Sequence, residues 1–292
     1  WETFQYDAPL KEKIRFIEYK KNYAANYYPY LGITEEMNYS PELDLMVIGS
    51  DEVFNCVQNN TNVGFSPELF GEGNHAKKVV TYAASFGNTT EEKLIYYKVS
   101  NQIGEWLKKL DAISVRDSNS GKVVKAVAGI EPQYHLDPVL AYDFMNKCKD
   151  IPVNVAENQY MILYGYSGRF TKDECRDIRV YAKKRGLKVF CIGGVQDACD
   201  KFIDCNPFQV IAYFRHAECV ITDTFHGTIL SVITHRPFAS VVRNEGYGNA
   251  EKMTDLLGRL GLNDRSIGSL KELPHLLKKV PTAYNFCGHP PA

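Results

Sequence analysis

The apolar residues of this chain fall in short runs of four to seven, with helix-length segments between most of them. The runs lie at 43–48, 78–84, 112–115, 159–164, 187–192, 219–222 and 236–242. Segments 11–28, 91–110, 118–128, 172–185, 207–216, 225–234 and 252–260 carry helical spacing. Short uninterrupted apolar strands alternating with helices predict an α/β fold, with parallel sheets covered on both faces. Gly186 follows one predicted helix as a natural left-handed stop. Residues 134–140 read as a strand or extended turn, because Pro138 excludes a helix interior. Residues 141–158 show no period. The expected boundary lies there, between an N-terminal Rossmann-like domain at 1–150 and a C-terminal one at 151–292. The last segment is expected to pack back on the first domain.

Charge excludes several classes of partner. The 34 basic and 35 acidic side chains nearly cancel, so neither nucleic acid nor an acidic membrane surface finds a counter-charge. No apolar run approaches the ~18 residues that span a bilayer, and no signal peptide is visible. Because the chain begins with Trp, a lost leading segment stays open. The eight cysteines are scattered, with no C-x-x-C pair and no zinc-like spacing. They read as free thiols in a reducing cytoplasm, and no metal is expected, Cys199, Cys205 and His216 included.

Parallel strands gather the turns at their carboxyl ends on one edge, where ligands bind in open α/β sheets. In the first half those turns are Gly49-Ser50-Asp51, Ser85-Phe86-Gly87 and Arg116-Asp117-Ser118. Each has a local explanation: Ser50, Asp51 or Asp117 as a helix cap, Gly87 as a positive-φ residue. Arg116 follows its strand directly, where a planar fork grips a phosphate or carboxylate in two places, unless it serves a surface salt bridge. In the second half, Cys219-Val-Ile-Thr-Asp-Thr-Phe-His226-Gly227 joins a buried strand to a helix starting near 224–227. A histidine at that helix start stands where an anion would be held, and histidine is the side chain type that can serve as acid or base near neutral pH. Asp223 reads more as the helix cap than as a base. Lys252 opens an amphipathic helix, where an anion would relieve the unfavourable dipole. The pair Gly193-Gly194 gives no complete dinucleotide fingerprint, and no P-loop is present.

Taken in order, Asp44-Leu-Met-Val-Ile-Gly-Ser-Asp-Glu-Val-Phe-Asn55, Val80-Thr-Tyr-Ala-Ala-Ser-Phe-Gly87, Ile113-Ser-Val-Arg-Asp117, Leu136-Asp-Pro-Val139 and Ile221-Thr-Asp-Thr-Phe-His-Gly227 resemble the polysaccharide pyruvyl transferase family. The resemblance spans roughly residues 40–262. It departs at Phe54, where a Trp is common, and in the absence before Trp1 of the family's opening strand and glycine-containing loop.

The resemblance implies a GT-B-like enzyme, two Rossmann-like domains facing a cleft, with the turns at 49–51, 85–87 and 116–118 opposite the turn at 223–227. It implies transfer of a pyruvyl group from phosphoenolpyruvate to two hydroxyls of a glycan or lipid-linked precursor, forming a cyclic ketal. His226 matches the family's histidine and Arg116 its arginine; Lys252 matches more loosely a basic residue before the last helix. His226 is then the general acid, with Asp51 or Asp223 as the base toward the acceptor. Arg116, Lys252, Ser50, Ser85 and Gly227 bind substrate. Phosphoenolpyruvate is the donor and no cofactor is required. Two alternatives stay open: a glycosyltransferase using a nucleotide sugar near Tyr164–Ser167 and Gly193-Gly194, and a non-catalytic sugar-binding protein.

Overall fold

The structure, a computed structural model, describes residues 2–33, 42–58, 66–243 and 250–277. It divides into two compact units, Glu35–Tyr142 and Trp1–Thr34 with Asp143–Ala292. The boundary near 142 falls within the aperiodic stretch, but the first 34 residues group with the later unit rather than with an N-terminal domain. The reason is α1 (Leu10–Tyr27), which buries Phe16 in the core of the later unit.

The unit 35–142 carries four short parallel strands: β1 (Met46–Ile48), β2 (Val79–Thr81), β3 (Ser114–Val115) and β4 (Gln133–Tyr134). β1 pairs with β2 and β3 with β4, both in parallel. β2 and β3 are linked by parallel bridges, with Thr81 N–H donating to Ala112 at 3.0 Å and Ala84 N–H to Ser114 at 3.1 Å. Helices α2 (Glu91–Tyr96), α3 (Ser100–Lys108) and α4 (Ser118–Ala128) surround them, and Phe54, Phe86, Leu94, Ile103, Leu107 and Val124 fill the core. The single helix expected over 91–110 is two. Lys98 turns left-handed at φ +58°, and Val99 N–H closes back on Leu94 at 3.0 Å. Pro138 does not oppose a helix: it opens the short α5 (Pro138–Ala141), in the first turn, where its missing N–H costs nothing.

The other unit holds a six-stranded parallel sheet built from β5 (Tyr160–Tyr164), β6 (Lys188–Ile192), β7 (Lys201–Phe202), β8 (Val220–Thr222), β9 (Phe238–Val241) and β10 (Ser266–Ile267). Its order is β10-β9-β8-β5-β6-β7. Alternation along each strand sends side chains to both faces. Met161, Leu163, Val189, Cys191 and Ile221 share one apolar core with α1, with α7 (Lys172–Arg185) and with Leu270, Leu273 and Leu276. On the opposite face Tyr160 and Tyr164 meet Tyr213 and Phe214 of α8 (Pro207–His216). Helices α6 (Phe144–Lys147), α9 (Phe225–Ile233), α10 (Ala250–Arg259) and α11 (Leu273–Leu276) complete the unit. The final described turns, at 270–277, thus pack on this unit, and the expected return of the last segment beyond them lies outside the described residues. Among the described residues no helix is long and apolar enough to cross a membrane.

α1 is tied to the sheet edge by one buried carboxylate. Glu12 accepts the Phe202 N–H at 2.7 Å and pairs with Arg15 at 3.0 Å. A buried donor stripped of its partner costs roughly 1–3 kcal/mol. Glu12→Ala should therefore lower urea-measured stability by about that amount, whereas Glu12→Gln, which keeps an acceptor, should lose less. Equal stability of both variants and the native chain would show that water satisfies Phe202 instead.

Candidate active site

The strand ends of the 35–142 unit converge on Arg116. The guanidinium follows β3 directly and its side chain is 3% exposed. One nitrogen donates to Asp137 at 3.0 Å and another to Asp51 at 2.8 Å. Asp137 is itself buried and accepts the Val139 N–H at 3.0 Å, capping α5. Ser50 lies 3.5 Å from the same carboxylate. Arg116 is thus neither a surface salt bridge nor an open anion grip. Its fork is committed to two carboxylates, and of these Asp51 is 63% exposed. Asp51 does not cap a helix, because residues 51–54 form a turn; its own φ is +59°. What reaches solvent is an aspartate held in place by a buried arginine.

Ser85 and Asp117 are spent on the turn itself. Ser85 is buried, donates to Asp117 at 2.6 Å and accepts the Gly87 N–H at 3.0 Å. Asp117 caps α4 by accepting the Ser120 N–H at 2.8 Å, and Gly87 takes φ +55°. Ser85 therefore shapes the loop and is not presented to a ligand. Phe54 is fully buried and stacks on Phe70 at 4.6 Å.

In the other unit, β8 runs into α9 through Asp223 and Thr224. The cap is Thr224, not Asp223: its hydroxyl accepts the Gly227 N–H at 2.9 Å. The β-branched hydroxyl takes this place because Asp223 turns inward. Asp223 is 1% exposed, with Arg169 at 3.4 Å and Arg243 at 3.5 Å. Gly227 is required by closeness. A Cβ there would stand 2.1 Å from the Thr222 hydroxyl and 2.7 Å from the Tyr164 ring. His226 is half-buried in the first turn of α9, edge-on to Phe225 at 5.6 Å. Lys252 is half-buried in the first described turn of α10, which packs against α9.

Two arginines escaped the sequence reading. Arg169 lies five residues beyond β5 and Arg243 two beyond β9, so neither follows its strand directly as Arg116 does. Arg243 grips Glu174 of α7 with two nitrogens, at 3.0 and 3.2 Å, and lies over the Phe170 ring. Arg169 lies over Tyr166 at 5.2 Å. The loop bearing Arg169 is pinned by the glycine pair. A Cβ on Gly194 would stand 2.3 Å from the Ser167 nitrogen, Val195 N–H donates to Ser167 at 3.0 Å, and Gln196 donates to Tyr166 at 2.6 Å. The space beside Gly194 is occupied by this backbone. Among the described residues no group of three or more His, Cys, Asp or Glu side chains is arranged to hold a metal.

Both carboxylate clusters have consequences for stability. Arg116→Ala would strand Asp137 as a buried charge, at about 3–5 kcal/mol, and Asp137→Asn in the same chain should recover part of the loss in denaturant titrations. If the double variant were no more stable than the single one, another cation would be compensating Asp137. At Asp223, burial raises the carboxyl above its ordinary range, and Arg169 and Arg243 pull it back only in part. The folded chain holds this proton to higher pH than the unfolded chain, so the contribution of Asp223 to stability falls as pH rises from ~4 through the folded titration. Asp223→Asn should flatten that part of the stability–pH curve. An identical slope in both proteins would mean that Asp223 titrates alike folded and unfolded.

The family profile for polysaccharide pyruvyl transferase matches residues 1–245. No curated protein matches the chain. Among solved structures, a variant of the wall teichoic acid polymerase TagF is similar at 12% identity over 94% of this chain and 90% of that one, with a TM-score of 0.38. With the family match extending over 245 of the 292 residues, and with the histidine of Thr222-Asp-Thr-Phe-His-Gly227 at the start of a helix that ends a parallel strand, the chain is a transferase belonging to the polysaccharide pyruvyl transferase family.

Proposed function

We propose that the protein moves a pyruvyl group from phosphoenolpyruvate to two hydroxyls of a sugar in a glycan or glycan precursor, forming a cyclic ketal. The observation that carries this is the placement of His226. It lies in the first turn of α9, and among the described residues its ring nitrogens have no hydrogen-bond partner. A titratable side chain beside a helix N-terminus suits an anionic donor.

The chemistry then runs in a balanced order. His226 delivers a proton to the donor's methylene carbon, which leaves C2 electrophilic. A sugar hydroxyl attacks C2 and gives its proton to a base. Phosphate departs, and the second hydroxyl closes the ring as its own proton is lost. Asp51 is the base in this proposal, because it is exposed and oriented by Arg116, whereas Asp223 is enclosed. Lys252 adds positive charge on the helix next to α9. Arg116 acts through Asp51 rather than on the donor. The GT-B-like arrangement of two Rossmann-like domains facing a cleft belongs to the same proposal. So does a cytoplasmic location, in keeping with the seven thiols that are free among the described residues.

Phosphate release from phosphoenolpyruvate in the presence of acceptor glycans tests this directly. His226→Gln should fold and still bind the donor, yet lose about two to four orders of magnitude in kcat, the usual contribution of a positioned acid. Near-native turnover in His226→Gln would make the residue a positioning group. Stabilisation of the native chain by a nucleotide sugar and not by phosphoenolpyruvate would overturn the reaction itself.

A further inference from the structure

Two aromatic side chains at the sheet edge that carries Asp51 have no part in the reaction so far. Tyr82 is the first residue after β2 and His135 the first after β4. Their rings stack in parallel, with centroids 5.3 Å apart and planes 6° from one another. β3 runs between the two strands and joins both sides through Ser114. The Ser114 hydroxyl accepts Ala83 N–H at 3.0 Å and lies 2.7 Å from His135 Nδ1. It has one proton to give, and giving it to Nδ1 puts the ring's own proton on Nε2. Among the described residues neither that Nε2 nor the Tyr82 hydroxyl has a hydrogen-bond partner, and both residues are half-buried. The turn bearing Ser50 and Asp51 lies against the same place. Tyr82 N–H donates to Ile48 at 3.0 Å, and the Tyr82 carbonyl leaves no room for a Cβ on Gly49. Asp137, two residues beyond His135, holds the guanidinium that orients Asp51.

We propose that Tyr82 and His135 form the platform on which the acceptor sugar lies, with His135 Nε2–H donating to one of its hydroxyls at the edge that carries Asp51. This deepens the function proposed above and rests on it only for calling the sugar an acceptor. A pyranose presents C–H groups on its face and hydroxyls around its rim. Aromatic rings carry their negative charge on the face, where C–H groups dock, while the hydroxyls need directed donors and acceptors. A stacked ring pair with an N–H at its rim answers both needs. The charge at this edge selects further. Asp51 is the exposed charged group there, and a carboxylate repels a phosphate-bearing ligand while leaving a neutral sugar unaffected. Ser114 is a positioning residue, because its hydroxyl holds the His135 ring.

Magnetic resonance of the full chain, isotope-labelled at the ring nitrogens of its seven histidines, gives the first test. His135→Phe keeps a ring on Tyr82 and identifies the His135 signals by their loss. Those signals should report the Nε2–H tautomer, and methyl glycosides of glucose, galactose, mannose and N-acetylglucosamine should be titrated in to find one that moves them. Calorimetry with the same glycosides, without donor, gives the second. Tyr82→Phe should bind as the native chain does. Tyr82→Leu should weaken binding by up to about tenfold, the value of a ring contact. His135→Phe should weaken it roughly three- to tenfold, the value of one hydrogen bond. Affinity for phosphoenolpyruvate should be unchanged in all of these variants. If Tyr82→Leu fails to fold, His135→Phe and the native His135 signals decide. An Nδ1–H tautomer, glycosides that leave His135 unmoved, or native affinity in both Tyr82→Leu and His135→Phe overturns the platform. Glycoside binding through Tyr82 and His135 with no phosphate released from phosphoenolpyruvate keeps the platform and overturns the pyruvyl transfer. Phosphate release with an acceptor KM unmoved in both variants does the reverse.

Discussion

Parallel pairing governs where this protein can place its chemistry. A parallel strand must be followed by a crossover, and the crossovers cover the faces of the sheet. β5, β6, β8 and β9 are accordingly buried along nearly their whole length. Polar groups have no place in such a sheet except at the strand ends. The carboxyl ends are the favoured edge, because each leads into a helix whose first N–H groups need partners. Asp51, Ser85, Arg116, Arg169, Asp223, His226 and Arg243 all lie at or just beyond a strand's carboxyl end. Their accumulation there follows from the topology before any selection for function acts.

The two units solve the same electrostatic problem in opposite ways. Around Arg116 a buried cation holds two carboxylates and delivers one of them, Asp51, to solvent. Around Asp223 a buried carboxylate holds two cations at the edge of exposure. In both, the enclosed charge faces opposite charge, which lowers the cost of holding it away from water. The outward member differs in sign.

Much of the fold was legible because parallel strands announce themselves as uninterrupted apolar runs and their helices as periodic ones. The helices at 172–185 and 207–216 and the strand at 160–164 lie within a residue of expectation. What escaped depends on tertiary contacts. Lys98 breaks a helix that spacing alone would continue, because the break is made by backbone bonds to Leu94 and Ile95. The N-terminal helix looks from its spacing like part of the nearest domain, and nothing local says that Glu12 will find Phe202. At the site, His226 and Asp51 were visible as polar residues at strand ends. The partnership of Arg116 with Asp137 was not, since it joins two strand ends 21 residues apart in sequence. Asp223 and Thr224 are both good capping residues, and the inward turn of the aspartate toward the guanidinium groups of Arg169 and Arg243 leaves the threonine to cap.

The bond between Glu12 and Phe202 closes a loop of 190 residues, and the whole unit 35–142 lies inside that loop. A ribosome emits α1 well before the edge strand it covers. In the interval the inner unit emerges complete, with its own core, and can fold as a body before the outer one has its sheet. α1 meanwhile waits with Phe16 and a string of tyrosines unburied. Until α1 docks, β7 keeps an open edge, and an open edge is what strands of other chains pair with. The helix Leu10–Tyr27 thus guards this edge of the sheet against misassembly.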